Sequence, residues 1–207
     1  MKCGGSEISF FPVAYETEIK VQCADTEALR RQLADLGAEL SAPRHFEENV
    51  VLDFADGRLR GCGSLMRVRI AGGAATVTFK GPPVPAGPFK KRAETETSVG
   101  DGMALLGILS ELGMAIWFRY QKYREEYHLA VPGHAGSVHV TIDETPIGNY
   151  VEIEGEEDAI REAARRLGIG ETSFLRDSYY ALYVKYCERQ GRAPGHMIFA
   201  ESEGFMP

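Results

Sequence analysis

Charged side chains recur along the chain in pairs of one sign, two residues apart. Three pairs are acidic and two are basic, with Lys80 as a further cation: Glu16 with Glu18, Glu94 with Glu96, Glu152 with Glu154, Arg67 with Arg69, and Lys122 with Arg124. Residues i and i+2 of a β-strand point to the same face, so each pair would share one face of a strand. Arginine side chains grip phosphate oxygens, whereas Mg²⁺ and Mn²⁺ prefer carboxylate oxygens. A cavity that held both sets would suit phosphoryl transfer.

The segments that carry these pairs have the pattern of strands. Period-two alternation predicts strands at residues 15–22, 50–54, 64–70, 75–80, 93–97, 118–129, 137–142 and 150–154. Helices are predicted at residues 26–36, 103–112, 156–167 and 177–189, where apolar residues recur at helical spacing. Asp25 is a suitable N-cap for the first helix, and Gly37 would end it. The Pro- and Gly-rich residues 81–88 predict a loop.

Two interpretations of the charged pairs stay open at this point. Antiparallel strands commonly face the core with apolar residues and the solvent with charged ones, and cross-strand salt bridges would then account for any single pair. The signs, however, are segregated by strand. If the sheet closed on itself, its polar faces would converge on a lumen, and helices would cover the apolar outer faces.

Composition excludes several classes of function. The 207 residues include 23 Lys and Arg against 30 Asp and Glu, a formal net charge of −7. Such a chain lacks the broad basic surface that nucleic acids require. No apolar run approaches the ~20 residues that span a bilayer, and the N-terminal sequence does not have the form of a secretory signal, so we expect a cytoplasmic protein without a membrane partner. The four cysteines form no CxxC pair, and no P-loop motif is present.

The order of the charged residues resembles a known family. Glu16-Thr17-Glu18-Ile19-Lys20 is similar to the N-terminal ExExK signature of the CYTH superfamily, the triphosphate tunnel metalloenzymes. The similarity continues to about residue 186 through Arg67-x-Arg69, Thr78-x-Lys80, Glu94-x-Glu96, Lys122-x-Arg124, Asp143 and Glu152-x-Glu154. The resemblance implies an α+β fold, a closed antiparallel eight-stranded β-barrel that forms a tunnel with helices packed outside. We expect an extension at residues 1–14, a CYTH domain at 15–190 and a loosely ordered tail at 191–207.

The resemblance also implies roles for individual residues. The implied metal ligands, for Mg²⁺ or Mn²⁺, are Glu16, Glu18, Asp143, Glu152 and Glu154. The implied triphosphate-binding residues are Arg67, Arg69, Lys80 and Arg124, with Lys20 and Lys122 close by. Glu94 and Glu96 would orient the basic groups, and Lys20, Arg67 and Arg124 are the catalytic candidates. Lys20 would help to activate water if its lumen environment lowered its pKa. For Lys90, Lys91 and Arg92, a solvated loop end and a substrate contact are equally compatible with the sequence.

The family contains both cyclases and hydrolases. Its bacterial class IV adenylyl cyclases begin with a pattern similar to HFxxxxExExK, and Phe10 stands at the position of that histidine. We therefore predict a metal-dependent triphosphatase whose small-molecule substrate is inorganic tripolyphosphate, thiamine triphosphate or a nucleoside triphosphate. An adenylyl cyclase that forms cyclic AMP and pyrophosphate is the alternative, followed by a non-catalytic module that binds nucleotide or polyphosphate. A homodimer is compatible with the sequence, but no interface can be located from it.

Overall fold

Eight antiparallel strands close into a barrel in the computed structural model, which describes residues 14–200. The strands are β1 (Ala14–Cys23), β2 (Glu39–Phe54), β3 (Leu65–Ala71), β4 (Ala74–Val84), β5 (Lys90–Val99), β6 (Met114–Ala130), β7 (Ser137–Thr145) and β8 (Gly148–Glu154). Around the barrel they follow the order β1-β5-β4-β3-β2-β6-β7-β8, and β8 pairs back with β1. The α+β barrel expected from the resemblance is confirmed.

Apolar residues of the strands face outward, where helices cover them. The helices are α1 (Thr26–Asp35), α2 (Arg58–Gly61), α3 (Gly102–Glu111), α4 (Glu157–Arg166) and α5 (Tyr179–Arg189). Ile19 and Val21 of β1 pack with Leu33 of α1 and Ile160 of α4 in one buried cluster. A second cluster joins β2 and β3 to α3 on the outside of the barrel. The third differs, because α5 packs against Val51 and Phe118 on the lumen side of the strands. The alternation therefore leaves the opposite, charged faces of the strands in the lumen.

The helix ends follow the sequence signals. The Asp25 carboxylate accepts a hydrogen bond from the Ala28 amide at 2.8 Å, and Asp101 accepts one from Ala104 at 2.9 Å, so both satisfy amides of a first helical turn. Gly37 follows α1 with φ of 75°, a left-handed conformation that favours glycine. The four predicted long helices are present, with ends that differ by one or two residues.

Two stretches differ from the prediction. β2 is sixteen residues long, whereas the predicted strand has five. The prediction is too short because Glu47 and Glu48 are both buried, which breaks the period-two pattern. Residues 81–84 extend β4 instead of forming a loop, and Pro83 pairs with Arg92 after a register shift. Proline is tolerated in a strand at such an irregularity, where no ladder hydrogen bond is required of it. The short helix α2 was not predicted.

Three residues near the end of the described chain contact β6: His196, Met197 and Phe199. Met197 forms a parallel bridge with Tyr120 and is 1 % exposed, and the Phe199 amide donates to the side-chain oxygen of Gln121 at 2.9 Å. This short stretch is therefore held against the barrel, whereas residues 191–195 are exposed. Residues 1–13 and 201–207, including Phe10, lie outside the described residues. Among residues 14–200, no helix is long and apolar enough to cross a membrane.

Candidate active site in the barrel lumen

The lumen contains a cavity of about 420 Å³ with one acidic and one basic wall. Most of the cavity carboxylates come from β8, β1 and β5, which are consecutive around the barrel and also carry Lys20, Lys90 and Arg92; we call this side the acidic wall. The other cations come from β4, β3 and β6, and we call that side the basic wall. All but one of the predicted site residues line the cavity: Glu16, Glu18, Lys20, Arg67, Arg69, Lys80, Glu94, Glu96, Lys122, Arg124, Glu152 and Glu154. Asp143 is the exception. Pairs predicted at strand spacing thus come together in three dimensions.

Carboxylates crowd one another on the acidic wall. Burial, a hydrogen bond to Glu94 and the charge of Glu154 raise the pKa of Glu16 to about 8, even though Lys80 lies nearby. Burial and the charge of Glu18 raise the pKa of Glu154, which makes no ion pair with any other residue in the range 14–200. Glu16 therefore lies among carboxylates whose mutual repulsion a cation would relieve.

The donor chemistry of this wall fits a hard divalent cation. Carboxylate oxygens are the ligands that Mg²⁺ and Mn²⁺ prefer, and a divalent charge would offset the repulsion among Glu16, Glu94 and Glu154. Across residues 14–200, no group of three His, Cys, Asp or Glu side chains is already arranged to hold a metal ion. The residues that would hold one are Glu16, Glu18 and Glu154, with Glu152 beside them.

Glu18 differs from Glu16 and Glu154 because its pKa is lowered rather than raised. Burial alone would raise the pKa of Glu18, but Lys90 at 2.6 Å outweighs this and lowers the pKa to about 2. Lys90 and Arg92 both line the cavity, whereas Lys91 pairs outside it with Glu157 at 3.3 Å. The structure therefore separates three consecutive residues that the sequence left ambiguous.

The basic wall presents a buried guanidinium with a free donor. Arg67 donates from Nη1 to the Tyr120 hydroxyl at 3.3 Å and from Nη2 to Thr78 Oγ1 at 3.1 Å. Its Nε is buried without a partner in the described part of the chain, an arrangement that leaves one donor for an anion in the cavity. Glu96 lies 3.6 Å from Arg67, and Glu94 contacts Lys80, which is the arrangement that an orienting role requires.

Asp143 lies behind the basic wall and not on the cavity surface. It is fully buried, and its carboxylate accepts from Arg124 at 2.7 and 2.6 Å, from Lys122 at 3.0 Å and from the Tyr179 hydroxyl at 2.5 Å. Both oxygens are thus engaged by donors. The metal-ligand role implied by the resemblance stays a prediction, and these contacts equally suit a role in which Asp143 positions Lys122 and Arg124.

Lys20 does not meet the condition for activating water. Its ammonium lies 2.9 Å from Glu152 and 4.3 Å from the centre of the Tyr179 ring. Burial would lower the pKa of Lys20, but the charges of Glu152 and Glu18 outweigh burial and hold that pKa above its usual value. Lys20 therefore remains a cation, and its part in the site is electrostatic.

One end of the cavity carries aromatic side chains that the sequence analysis missed. Trp117, Phe118 and Tyr180 line it, together with Arg60, and we call these four residues the aromatic mouth. The Tyr180 ring centre lies 4.4 Å from that of Trp117 and 5.0 Å from that of Phe118. Adjacent residues of a strand point to opposite faces, so both Trp117 and Phe118 can line the cavity only through the register shift at this point of β2 and β6.

Comparisons with known proteins agree with this architecture. The chain is 27 % identical over 178 residues to the Methanocaldococcus jannaschii protein named "Putative adenylate cyclase MJ0240", an alignment that covers 81 % of this chain and 97 % of that protein. A Vibrio parahaemolyticus structure described as a "putative adenylate cyclase" superposes with a TM-score of 0.68 at 17 % identity, covering 80 % of this chain and 95 % of the other.

A plant structure has the same fold. It is a "putative adenylyl cyclase" from Hippeastrum, described as having a dominant triphosphatase activity, and it superposes with a TM-score of 0.58 at 14 % identity, covering 86 % of this chain and 97 % of the other. The family model of the CYTH domain matches residues 14–179, which include all eight strands. The chain therefore belongs to the CYTH domain family.

Proposed function

We propose that this chain is a divalent-metal-dependent triphosphatase, whose substrate binds between the two walls of the lumen. The observation that carries the proposal is that one cavity holds both sets of groups: carboxylates concentrated on β8, β1 and β5, and basic groups concentrated on β4, β3 and β6. A triphosphate requires cationic donors for its oxygens, and its metal requires carboxylates, so this cavity supplies both. A pure anion-binding site would gain nothing from the acidic wall.

The basic wall would bind and orient the phosphates. Arg67 has an unpartnered Nε, and Arg69 reaches the cavity while Asn49 and Glu47 hold it at 3.3 Å each. Neither guanidinium needs to move far, because other side chains already fix its position. Donors fixed before binding stabilise charge that develops on phosphate oxygens without a cost of reorganisation.

Hydrolysis would follow from this placement. Water attacks the terminal phosphorus, the bond from that phosphorus to the bridging oxygen breaks, and the diphosphate leaves with the electron pair while orthophosphate forms. A bound divalent cation would supply charge neutralisation of the phosphate oxygens and a lower pKa for water. Lys20 remains protonated and contributes charge rather than base chemistry. The Hippeastrum protein with a dominant triphosphatase activity is compatible with this order of candidates.

A cyclase reaction is the second candidate, because the three similar proteins described above are each named a putative adenylate or adenylyl cyclase. In that reaction the ribose 3′-oxygen attacks the α-phosphorus of ATP, and pyrophosphate leaves. Product identity separates the two reactions: orthophosphate marks hydrolysis, whereas cyclic AMP with pyrophosphate marks cyclisation.

The test is a panel of tripolyphosphate, thiamine triphosphate and ATP with Mg²⁺ or Mn²⁺, scored by phosphorus-containing products. Glu154→Gln and Glu16→Ala are expected to abolish turnover. Glu156→Gln, a change at an exposed residue just beyond β8, is the matched control and should leave turnover intact. Tight binding without any product would favour a non-catalytic module, and neither binding nor product from any of the three would overturn the proposal.

A further inference from the structure

β7 lies where the two walls of the lumen meet, because its neighbours in the barrel are β6 of the basic wall and β8 of the acidic wall. His139 and Thr141 of β7 both line the cavity. Neither residue belongs to the groups assigned above to the phosphates or to the cation. Hydrolysis brings phosphate, cation and water together, so a water that attacks phosphorus has to lie at a junction of this kind.

Thr141 carries a buried hydroxyl group without a partner. The residue is 3 % exposed, and its Oγ1 makes no hydrogen bond with any other group in residues 14–200. A buried hydroxyl that stays unpaired costs about 1–3 kcal/mol, and in native proteins such groups commonly mark a bound water, an ion or a catalytic role. Because Thr141 lines the cavity, a partner for its hydroxyl would come from the lumen.

The carboxylates beside Thr141 are already engaged by basic side chains. In the strand register Thr141 pairs with Glu126 of β6 on one side and with Glu152 of β8 on the other. A Glu126 carboxylate oxygen lies 2.9 Å from Nε2 of His139. A Glu152 carboxylate oxygen lies 2.9 Å from the Lys20 ammonium. Neither carboxylate bonds to the Thr141 hydroxyl, so this hydroxyl is held between two fixed charged pairs and stays available to a small ligand.

We propose that the Thr141 hydroxyl binds the water molecule that attacks the terminal phosphorus. This inference rests on the proposed function and adds to it the side of the lumen from which the water approaches. A hydroxyl group donates one hydrogen bond and accepts two, so it can hold a water and orient it toward phosphorus. The water oxygen is incorporated into orthophosphate while the bridging oxygen leaves on the diphosphate with the electron pair. One water proton stays on the orthophosphate, and the other is released.

Thr141→Val tests the inference, because valine has nearly the shape of threonine but no hydroxyl. The assay uses Mg²⁺ or Mn²⁺ and whichever of tripolyphosphate, thiamine triphosphate and ATP the wild type hydrolyses fastest. We expect kcat for orthophosphate release to fall by about 10- to 100-fold, since a small misplacement of a reacting group has about this effect. KM should stay unchanged, because the side chains that bind the phosphates are intact. Thr141→Ser keeps the hydroxyl and should restore kcat, and Thr97→Val, at an exposed position of β5 outside the cavity, is the matched control.

Thermal unfolding in EDTA separates a water-binding role from a structural one. Valine puts a methyl group in place of a buried hydroxyl that has no partner, so the Tm of Thr141→Val should equal or exceed that of the wild type. A lower Tm together with a lower kcat would show that the hydroxyl serves the fold and would overturn the inference. An unchanged kcat with a higher KM or a higher metal requirement would also overturn it, because the hydroxyl would then bind a phosphate or the cation.

Failure of this inference and failure of the proposed function give different results. Orthophosphate release with the same kcat in the wild type and in Thr141→Val would overturn the water-binding role and leave the triphosphatase intact. No orthophosphate release by the wild type from any of the three triphosphates would overturn both.

Discussion

Removal of the Asp143 charge is expected to destabilise the protein more than removal of any exposed carboxylate. Asp143 is fully buried and accepts hydrogen bonds from Lys122, Arg124 and Tyr179. Asp143→Asn keeps the shape but leaves two buried cations without their shared counter-charge. Breaking a buried ion pair by neutralising one partner costs about 3–5 kcal/mol. Lys122 retains Glu47 at 3.4 Å, and Arg124 retains Glu152, so the lower value, about 3 kcal/mol, applies.

The measurement is thermal unfolding of the metal-free protein. In a chain of this length, 1 kcal/mol shifts Tm by about 2–4 °C, so Asp143→Asn should lower Tm by about 6–12 °C. Asp56→Asn is the matched control, because Asp56 is 65 % exposed and lies 3.6 Å from Arg58. An exposed pair of this kind contributes less than about 1 kcal/mol.

The alternative role of Asp143 predicts a different outcome. If Asp143 were primarily a metal ligand, Asp143→Asn would leave Tm in EDTA near that of the control and would remove the rise of Tm on addition of Mg²⁺ or Mn²⁺. A Tm in EDTA indistinguishable from that of Asp56→Asn would therefore refute the positioning role.

Three further predictions concern stability. Burial and carboxylate neighbours raise the pKa of Glu16 from 4.5 to about 8, so between these two pH values the folded state binds more protons than the unfolded state and stability falls as pH rises. Glu16→Gln should therefore raise Tm in EDTA near pH 8 but not below about pH 4, and parallel Tm–pH curves for the two proteins would contradict this. Gly102→Ala places a Cβ 2.8 Å from the Cβ of Ala75 and should lower the free energy of unfolding by about 1–3 kcal/mol, measured by denaturant unfolding. Gly107→Ala, on the exposed side of α3, is the control and should raise it by about 0.5–1 kcal/mol; equal effects would show that packing at Gly102 is loose. Met197→Ala should lower the free energy of unfolding by about 2–5 kcal/mol and speed proteolysis after residue 190. Unchanged digestion would show that Met197 does not anchor the residues after 190.

The strands and the charged walls were predictable because both depend on local periodicity. A charged pair at i and i+2 fixes a shared face wherever the strand lies, so Arg67 and Arg69, or Glu152 and Glu154, needed only closure of the sheet to meet in the lumen. Closure itself was implied by the resemblance and not by the spacing.

Other features depend on contacts between distant residues. The first half of β2 was missed because Glu47 and Glu48 are buried on opposite faces, with Glu48 paired to Arg119 and Gln121 at the outside of the barrel. No local signal shows that a carboxylate will find such partners. The same holds for the tail, in which Met197 is buried by β6, more than 70 residues earlier in the chain.

The pKa of Lys20 and the role of Asp143 also required three-dimensional information. Both depend on which charges lie on neighbouring strands, and the register that sets this is a property of the closed barrel. The aromatic mouth left a weak signal in the sequence, the adjacency of Trp117 and Phe118 within an alternating strand, but its direction follows only from the irregular pairing with β2.

The pairing of β1 with β8 has a consequence for how the chain folds. It joins residues 18–23 to residues 149–154, so the contact that closes the barrel connects segments about 130 positions apart. Bringing together segments so far apart in the sequence costs chain entropy before their contacts stabilise the fold, and this slows folding. Lys20 and Glu152 meet across this pairing, so the burial of both charges depends on closure of the barrel.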